Sequence, residues 1–513
     1  MKRTLLSIFL LSNFINYQVN AQNASALPRS TPAAEGVSAS AISIFLDSIA
    51  ASKHEFHSFM ILRHGKVIAE GWWNPYRKDL RHTLYSLSKS FTATAVGFAR
   101  AEGKLSLNDK VVSFFPNQLP DSVSSYLQQL TVKDLLTMSV GQEPDPTNVV
   151  VQDTNWVRTF LALPVKYQPG SKFLYNSTAT YMLSAIVTKV TGEKVLNYLQ
   201  PRLFAPLGIA KPDWEESPQH VNTGGWGLRL KTEDIAKFAQ LFLQKGKWNG
   251  RQILPQGWVE EASTAHIIQH PDYSAAQRAS SDWEQGYGYQ MWRCRNNAYR
   301  GDGAFGQYAI VMPEQDAVIA ITSETSDMQG ELNLIWKVLL PAMQKDKISA
   351  NAAEESLLKK KLAALALPIK KEAITPPFTH AKTYAIEDNP QNIQSLTFHF
   401  QNNIFEVSVK TGNETYPLHF AANNWQPGET KLKGPYLVSG AKNSQNGLPP
   451  FKVAGEYTWI DANTLELVLR YTESTHSQTM LCHFDGDNIS VDVKRSFNTN
   501  APGAVVTLKG KAQ

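Results

Sequence analysis

Residues 84–92 read Leu-Tyr-Ser-Leu-Ser-Lys-Ser-Phe-Thr, so three serines crowd one lysine where an apolar-periodic segment begins. A serine becomes a nucleophile when a neighbour takes its proton, and a lysine can do this only in its neutral form. If Ser86 opens a helix, Lys89 and Ser90 lie three and four positions on and share its face, while Ser88 points elsewhere. The spacing therefore nominates Ser86. A helix N-terminus offers unpaired N–H groups and the positive end of the dipole, which stabilise an alkoxide and later an oxyanion. Lys89 can serve as base only if burial or positive potential lowers its pKa from about 10.4. The same Ser-x-x-Lys spacing recurs at Ser356 and Lys359, in a stretch that reads as a solvated helix, so spacing alone does not choose between the copies.

The elements that must position these groups follow from periodicity. Residues 58–71 alternate apolar runs around His64-Gly65, the pattern of a hairpin in a half-buried sheet. Residues 86–102 carry Phe91, Ala95 and Phe98 at helical spacing and stop at Gly103. Thr131 to Asp134 reads as a capping box, 179–190 as a helix closed by Gly192, and Thr232 as the N-cap of another helix. Strand character returns at 287–294, 308–312 and 317–322, with 313–316 as a turn, before a closing helix at 331–343. Sheet at both ends and helices between them predict an α/β domain whose termini meet in one antiparallel sheet.

Beyond residue 345 the composition changes. Residues 346–378 form a linker, first Lys- and Ala-rich and helical, then broken by Pro368 and Pro376-Pro377. Residues 379–513 carry short alternating segments at 395–401, 404–410, 465–471, 479–484, 489–494 and 505–509, which predict an all-β barrel or sandwich. This lipocalin-like accessory domain shows no catalytic constellation, and packing or ligand binding is the role expected of it. At the other end, Lys2 and Arg3 precede an apolar run over 5–15 and then Val19-Asn20-Ala21, an export signal over 1–21 that implies a periplasmic or extracellular destination. Its apolar core is too short to span a bilayer, and no later run approaches the roughly 18 apolar residues a spanning helix needs, so no stable membrane insertion is expected. The two cysteines, Cys294 and Cys482, give no disulfide framework. With 50 Lys and Arg scattered along 513 residues and a net charge of +5, no basic stripe exists, which excludes nucleic acid as a partner.

Residues 85–111, YSLSKSFTATAVGFARAEGKLSLNDKV, resemble the nucleophile helix of the serine β-lactamase and penicillin-binding-protein superfamily, in its class C and family VIII esterase branch. TVKDLLTMSVG and GGWGLRLKTEDIAKFAQLFLQKGKWNG resemble further stretches of that branch, and the likeness covers residues 30–345. It implies a class C β-lactamase-like fold over 22–345, an antiparallel sheet flanked by helices with a helical subdomain. It also implies a Tyr-x-Asn element, found here as Tyr175-Asn176-Ser177. Tyr175 would lie beside Ser86 and share proton transfer with Lys89, the two titrating as a coupled pair in which either could be the base. Ser177 stands where an amide would hold the lysine and the substrate carbonyl, and Asn176 and Ser177 are expected on the substrate side. The third element, Lys-Thr-Gly or His-Thr-Gly, aligns with Asp302-Gly303-Ala304 and makes Asp302 and Gly303 substrate-facing. An aspartate there repels the carboxylate of a penicillin-type substrate, with Arg300 as a compensating cation. In this register the backbone N–H groups of Ser86 and Phe305 form the oxyanion hole. Trp226 and Trp156 are candidate cleft aromatics, with core packing as the alternative.

Other signals fall away. Gly301-x-Gly303-x-x-Gly306 spells a dinucleotide fingerprint, but a hairpin follows it rather than a helix. No Gly-x-Ser-x-Gly elbow occurs, and His54-Glu55-Phe56-His57 lacks zinc-helix spacing and reads as a solvated loop. No metal or organic cofactor is implied. The expectation is an exported serine hydrolase that cleaves a small ester or amide through an acyl-enzyme on Ser86. A β-lactamase or D-alanyl-D-alanine carboxypeptidase is the second reading, and a catalytically silent ligand-binding protein is the alternative from another class.

Overall fold

Two segments far apart in sequence build the central sheet of the computed structural model, which describes residues 26–371, 380–497 and 505–513. The expected export signal over 1–21 lies outside the described residues, as do Pro376 and Pro377. The sheet order is Lys66–Trp72, Glu55–Arg63, Ala317–Glu324, Gln307–Met312, Tyr299–Gly303, Trp292–Arg293, antiparallel throughout. Its strands are apolar on both faces because helices cover both. Met60, Leu62 and Val318 join one core with Phe91 of helix Ser88–Ala101 and Phe238 of helix Thr232–Leu243. Phe59, Ile61 and Ile319 join the other, with Phe45 of helix Ala39–Ala50 and Leu332 of helix Met328–Leu334. Helices Val132–Leu136, Trp156–Ala162 and Ser177–Thr191 extend the first core into a helical subdomain.

Several local expectations shift for identifiable reasons. Of residues 287–294 only Trp292–Arg293 forms a strand, Tyr287 making isolated bridges to Ile267 and Trp292, and Gly288 passes so close to the Ala262 carbonyl oxygen that a Cβ there would lie 2.0 Å from it. Lys231, not Thr232, is the N-cap, since Thr232 is the first helical residue and its hydroxyl bonds Ser58 Oγ at 2.7 Å. His57 is no part of a solvated loop: it lies on strand Glu55–Arg63, fully buried, with its ring between Glu55, at 3.1 Å, and His82, at 3.0 Å. The helical half of the linker, Ala352–Ala363, packs on the first domain through Leu358, and Glu354 Oε2 accepts the Ser40 N–H at 3.3 Å.

The C-terminal domain is a closed barrel rather than a sandwich. Consecutive neighbours in its ten-stranded sheet pair antiparallel, and the ring closes where Glu414–Ala421 meets Phe451–Asp461 through the parallel Ala421–Glu456 pair. Phe398, Phe405, Leu467 and Val491 fill it. Both cysteines are free and buried, Cys294 in the first domain and Cys482 in the barrel. No helix among the described residues is long and apolar enough to cross a membrane.

Candidate active site

Ser86 sits one turn ahead of its helix, in a 3-10 segment, Tyr85–Leu87, that runs into Ser88–Ala101. The residue before it is strained: Tyr85 has φ +46°, a left-handed conformation that a bulky side chain rarely adopts. Lys89 is 1% exposed, and its Nζ lies 2.8 Å from Ser86 Oγ, 3.1 Å from Ser177 Oγ and 2.7 Å from the Gly225 carbonyl oxygen. Burial lowers the lysine to about 7, against the more distant pull of Asp145 and Asp302. The neutral amine fits this triangle, with two N–H bonds satisfying Gly225 and Ser177 and the lone pair left for the Ser86 hydroxyl.

The carbonyl that greets the lysine needs glycine, since a Cβ at Gly225 would lie 2.5 Å from the Ser177 carbonyl oxygen. Ser177 opens helix Ser177–Thr191, so its hydroxyl does the lysine-holding work of the expected amide. Asn176 is not a substrate group. It is 1% exposed and caps that helix, its Oδ1 accepting from Ala179 N–H at 3.0 Å and Thr178 Oγ1 at 2.7 Å while its Nδ2 donates to Gln142 Oε1 at 3.1 Å.

Tyr175 closes the other side, with its ring centroid 4.8 Å from Lys89 Nζ and its face stacked on Trp292 at 5.6 Å. Burial pushes its phenol well above the usual range and Asp302 adds to this, while a hydrogen bond with Ser86 pulls the other way. Burial thus disfavours the charged form of both groups, the ammonium of Lys89 and the phenolate of Tyr175.

Strand Tyr299–Gly303 forms the facing wall. A Cβ at Gly303 would lie 2.0 Å from the Leu84 carbonyl oxygen and 3.1 Å from Ser86 N, and one at Gly301 would strike Leu87 and Ser90 at 2.5 Å. Gly303 is thus the glycine that lets the wall approach Ser86, which places the third element of the resemblance one residue back, at Gly301-Asp302-Gly303. In that register Phe305 stands one residue past the position to which the resemblance assigns an oxyanion N–H; it sits in the hairpin turn at φ +67°, its ring against Tyr85 and its carbonyl accepting from Ser323 Oγ at 2.9 Å. Asp302 is buried in the wall and gripped by Arg300 through Nε at 3.0 Å and Nη2 at 2.9 Å. Burial raises the aspartate and Arg300 opposes it. Arg300 is itself fully buried, donates to the Asp282 carbonyl at 2.9 Å and packs on Trp283. Trp226 does not line the cleft either: at 2% exposure it packs 5.7 Å from the buried Trp156 ring, and its carbonyl accepts from Trp214 Nε1 at 2.8 Å.

The barrel supplies residues that no catalytic motif marks. Tyr85 Oη lies 2.6 Å from His476 Nε2, and Tyr436 stacks on the Tyr85 ring at 5.4 Å. The one signal was the polar run Thr472 to Ser477 between two apolar strands, which looks like an exposed turn yet is buried throughout. Its partners lie in the other domain, Glu473 meeting Arg81 at 3.1 Å and Arg229 at 3.4 Å. Among the described residues no cluster of three or more His, Cys, Asp or Glu could hold a metal ion.

A family model described as Beta-lactamase matches residues 55–340. The chain belongs to the beta-lactamase family. Within this family it is 27% identical over 290 residues to a "6-aminohexanoate-dimer hydrolase" of Paenarthrobacter ureafaciens, covering 53% of this chain and 73% of the relative. It is 25% identical over 239 residues to a "Putative D-alanyl-D-alanine carboxypeptidase" of Escherichia coli strain K12, covering 41% of this chain and 55% of that one. Among solved structures, the "Putative 6-aminohexanoate-dimer hydrolase from Bacillus anthracis" superposes with a TM-score of 0.50 at 19% identity, covering 61% of this chain and 86% of that one, and so shares the fold. This beta-lactamase-family chain is accordingly a hydrolase of the superfamily that the nucleophile segment resembles, with a barrel appended beyond the matched residues.

Proposed function

We propose that this hydrolase cleaves a small ester or amide through an acyl-enzyme on Ser86. The observation that carries the reading is a fully buried lysine, ion-paired to no carboxylate among the described residues, held 2.8 Å from a serine hydroxyl by two other oxygens. Lys89 takes the Ser86 proton as Oγ attacks the substrate carbonyl carbon. The oxyanion is received by the N–H groups of Ser86 and Ala304, the residue that follows the close-approach glycine. Tyr175 gives its proton to the departing oxygen or nitrogen and regains one from the protonated lysine. Water then attacks the acyl carbon, its proton returns through the same pair, and the acid leaves.

The wall opposite supports a substrate with no carboxylate next to the reacting bond. A carboxylate-bearing β-lactam or D-alanyl peptide needs a free cation beside the reacting bond, and Arg300 is buried and committed to Asp302. The relative named for a 6-aminohexanoate dimer fits a substrate outside the β-lactams. The Lys2-Arg3 and apolar start of the chain supports action outside the cytoplasm, which cell fractionation tests.

Purified protein incubated with a fluorophosphonate probe, p-nitrophenyl butyrate and a penicillin, beside a Ser86→Ala control, tests the reading. Labelling and ester turnover that depend on Ser86, with little penicillin hydrolysis, are expected. Turnover that survives in Ser86→Ala refutes the acyl-enzyme, and stable penicillin labelling favours the peptidase reading.

A further inference from the structure

We propose that His476, contributed by the barrel, is a positioning residue for Ser86, acting through Tyr85. The inference rests on Ser86 being the nucleophile. His476 is fully buried between two partners: its Nδ1 faces Glu324 Oε1 at 2.7 Å and its Nε2 faces Tyr85 Oη at 2.6 Å. Glu324, which also accepts from Ser496 Oγ at 2.7 Å, accepts the Nδ1–H hydrogen bond. This fixes the tautomer and leaves the Nε2 lone pair to receive the Tyr85 O–H. The phenol oxygen in turn accepts the Leu437 N–H, at 3.3 Å, from the barrel's long loop. The same turn of the barrel holds the chain two residues earlier, where Thr83 N–H donates to the Glu473 carbonyl at 3.0 Å.

What this grip secures is the strained backbone at Tyr85. A left-handed aromatic residue persists only when its surroundings over-determine it, and the next residue in the chain is the nucleophile. Gly303 meets the Leu84 carbonyl and Ser86 N in the same small volume, so a relaxation at Tyr85 would displace both Ser86 Oγ and its oxyanion N–H. The barrel is therefore coupled to the active site through Tyr85.

The test compares His476→Ala, His476→Gln and Tyr85→Phe with the native full-length enzyme on p-nitrophenyl butyrate, with Ser86→Ala and Arg470→Met in parallel. Arg470→Met breaks another contact between the domains, the pairing of Arg470 with Glu55 at 2.6 and 3.0 Å, without touching Tyr85. His476→Ala and Tyr85→Phe should each lower kcat by about ten- to a hundredfold with KM within about twofold, the scale of an ångström-sized misplacement. His476→Gln, which retains an acceptor near Nε2, should recover most of the loss, and the double variant should be no worse than the poorer single one. Native kcat in both Tyr85→Phe and His476→Ala overturns the proposal, as does an equal loss in Arg470→Met, which would assign the effect to domain docking at large. An active Ser86→Ala would instead refute the acyl-enzyme itself.

Discussion

Ser86 and Lys89 share their spacing with Ser356 and Lys359, and each pair lies about one turn apart on helical backbone. Lys359 and Ser356 point into solvent from a helix whose buried contact is Leu358. Lys89 is enclosed by Ser86, Tyr175, Ser177 and Gly225, which reach it from three separate stretches of chain. Proximity is the same in both; desolvation is not. The comparison teaches that Ser-x-x-Lys supplies only the distance, while tertiary partners supply the acidity that makes the distance useful.

The largest effect that should separate the two copies is at the serines. Ser86→Ala should lose about four or more orders of magnitude in kcat/KM, whereas Ser356→Ala should match the native enzyme in the same ester assay. Lys89→Met and Tyr175→Phe come next, each lowering turnover by about two to four orders of magnitude, the scale of a lost proton-transfer partner. Lys359→Met should again change nothing. Lys89→Met should also raise the thermal midpoint, because a buried amine with a lowered pKa destabilises the fold. The sign is that the unfolded chain binds a proton near pH 10.4 and the folded one only near 7, so the native lysine weakens the protein as pH falls through that window, fully so below about 7. A calorimetric midpoint that drops in the variant would contradict this.

Activity should carry the same group in the opposite role. Lys89 accepts a proton only when neutral, so kcat/KM should fall about tenfold per pH unit below about 7 and level off above it. A flat profile from pH 5.5 to 8 would remove the lysine as base. The smallest effect belongs to Ser177→Ala, which deletes one 3.1 Å hydrogen bond and should lower kcat by about five- to tenfold.

Much of this was legible along the chain, and the exceptions have physical causes. Periodicity located the hairpin at His64-Gly65 and the helix that Gly192 closes, both confirmed by left-handed glycines. Strands Glu414–Ala421 and Gln426–Thr430 were missed because Pro417, Pro427 and Gly428 interrupt them, which is tolerated where ladder pairing is nearly one-sided. Gly455 hid strand Phe451–Asp461 in the same way; a Cβ there would lie 2.3 Å from the His419 carbonyl oxygen, at the barrel's closure. In the site, Asn176 and Trp226 carried the right motif or residue type, but burial and partners, which no spacing encodes, gave them a cap and a core position. Phe305 failed by a single residue, a shift visible only from which glycine the Ser86 backbone touches. His476 lies 390 residues beyond Ser86 in another domain, where no local pattern could announce it.

The most direct measurement is the site of covalent labelling. After reaction of the full chain with a fluorophosphonate probe, peptide mass spectrometry should place the adduct on Ser86, with none in the peptide that holds Ser356. An adduct on any other residue, or labelling undiminished in Ser86→Ala, would contradict the account.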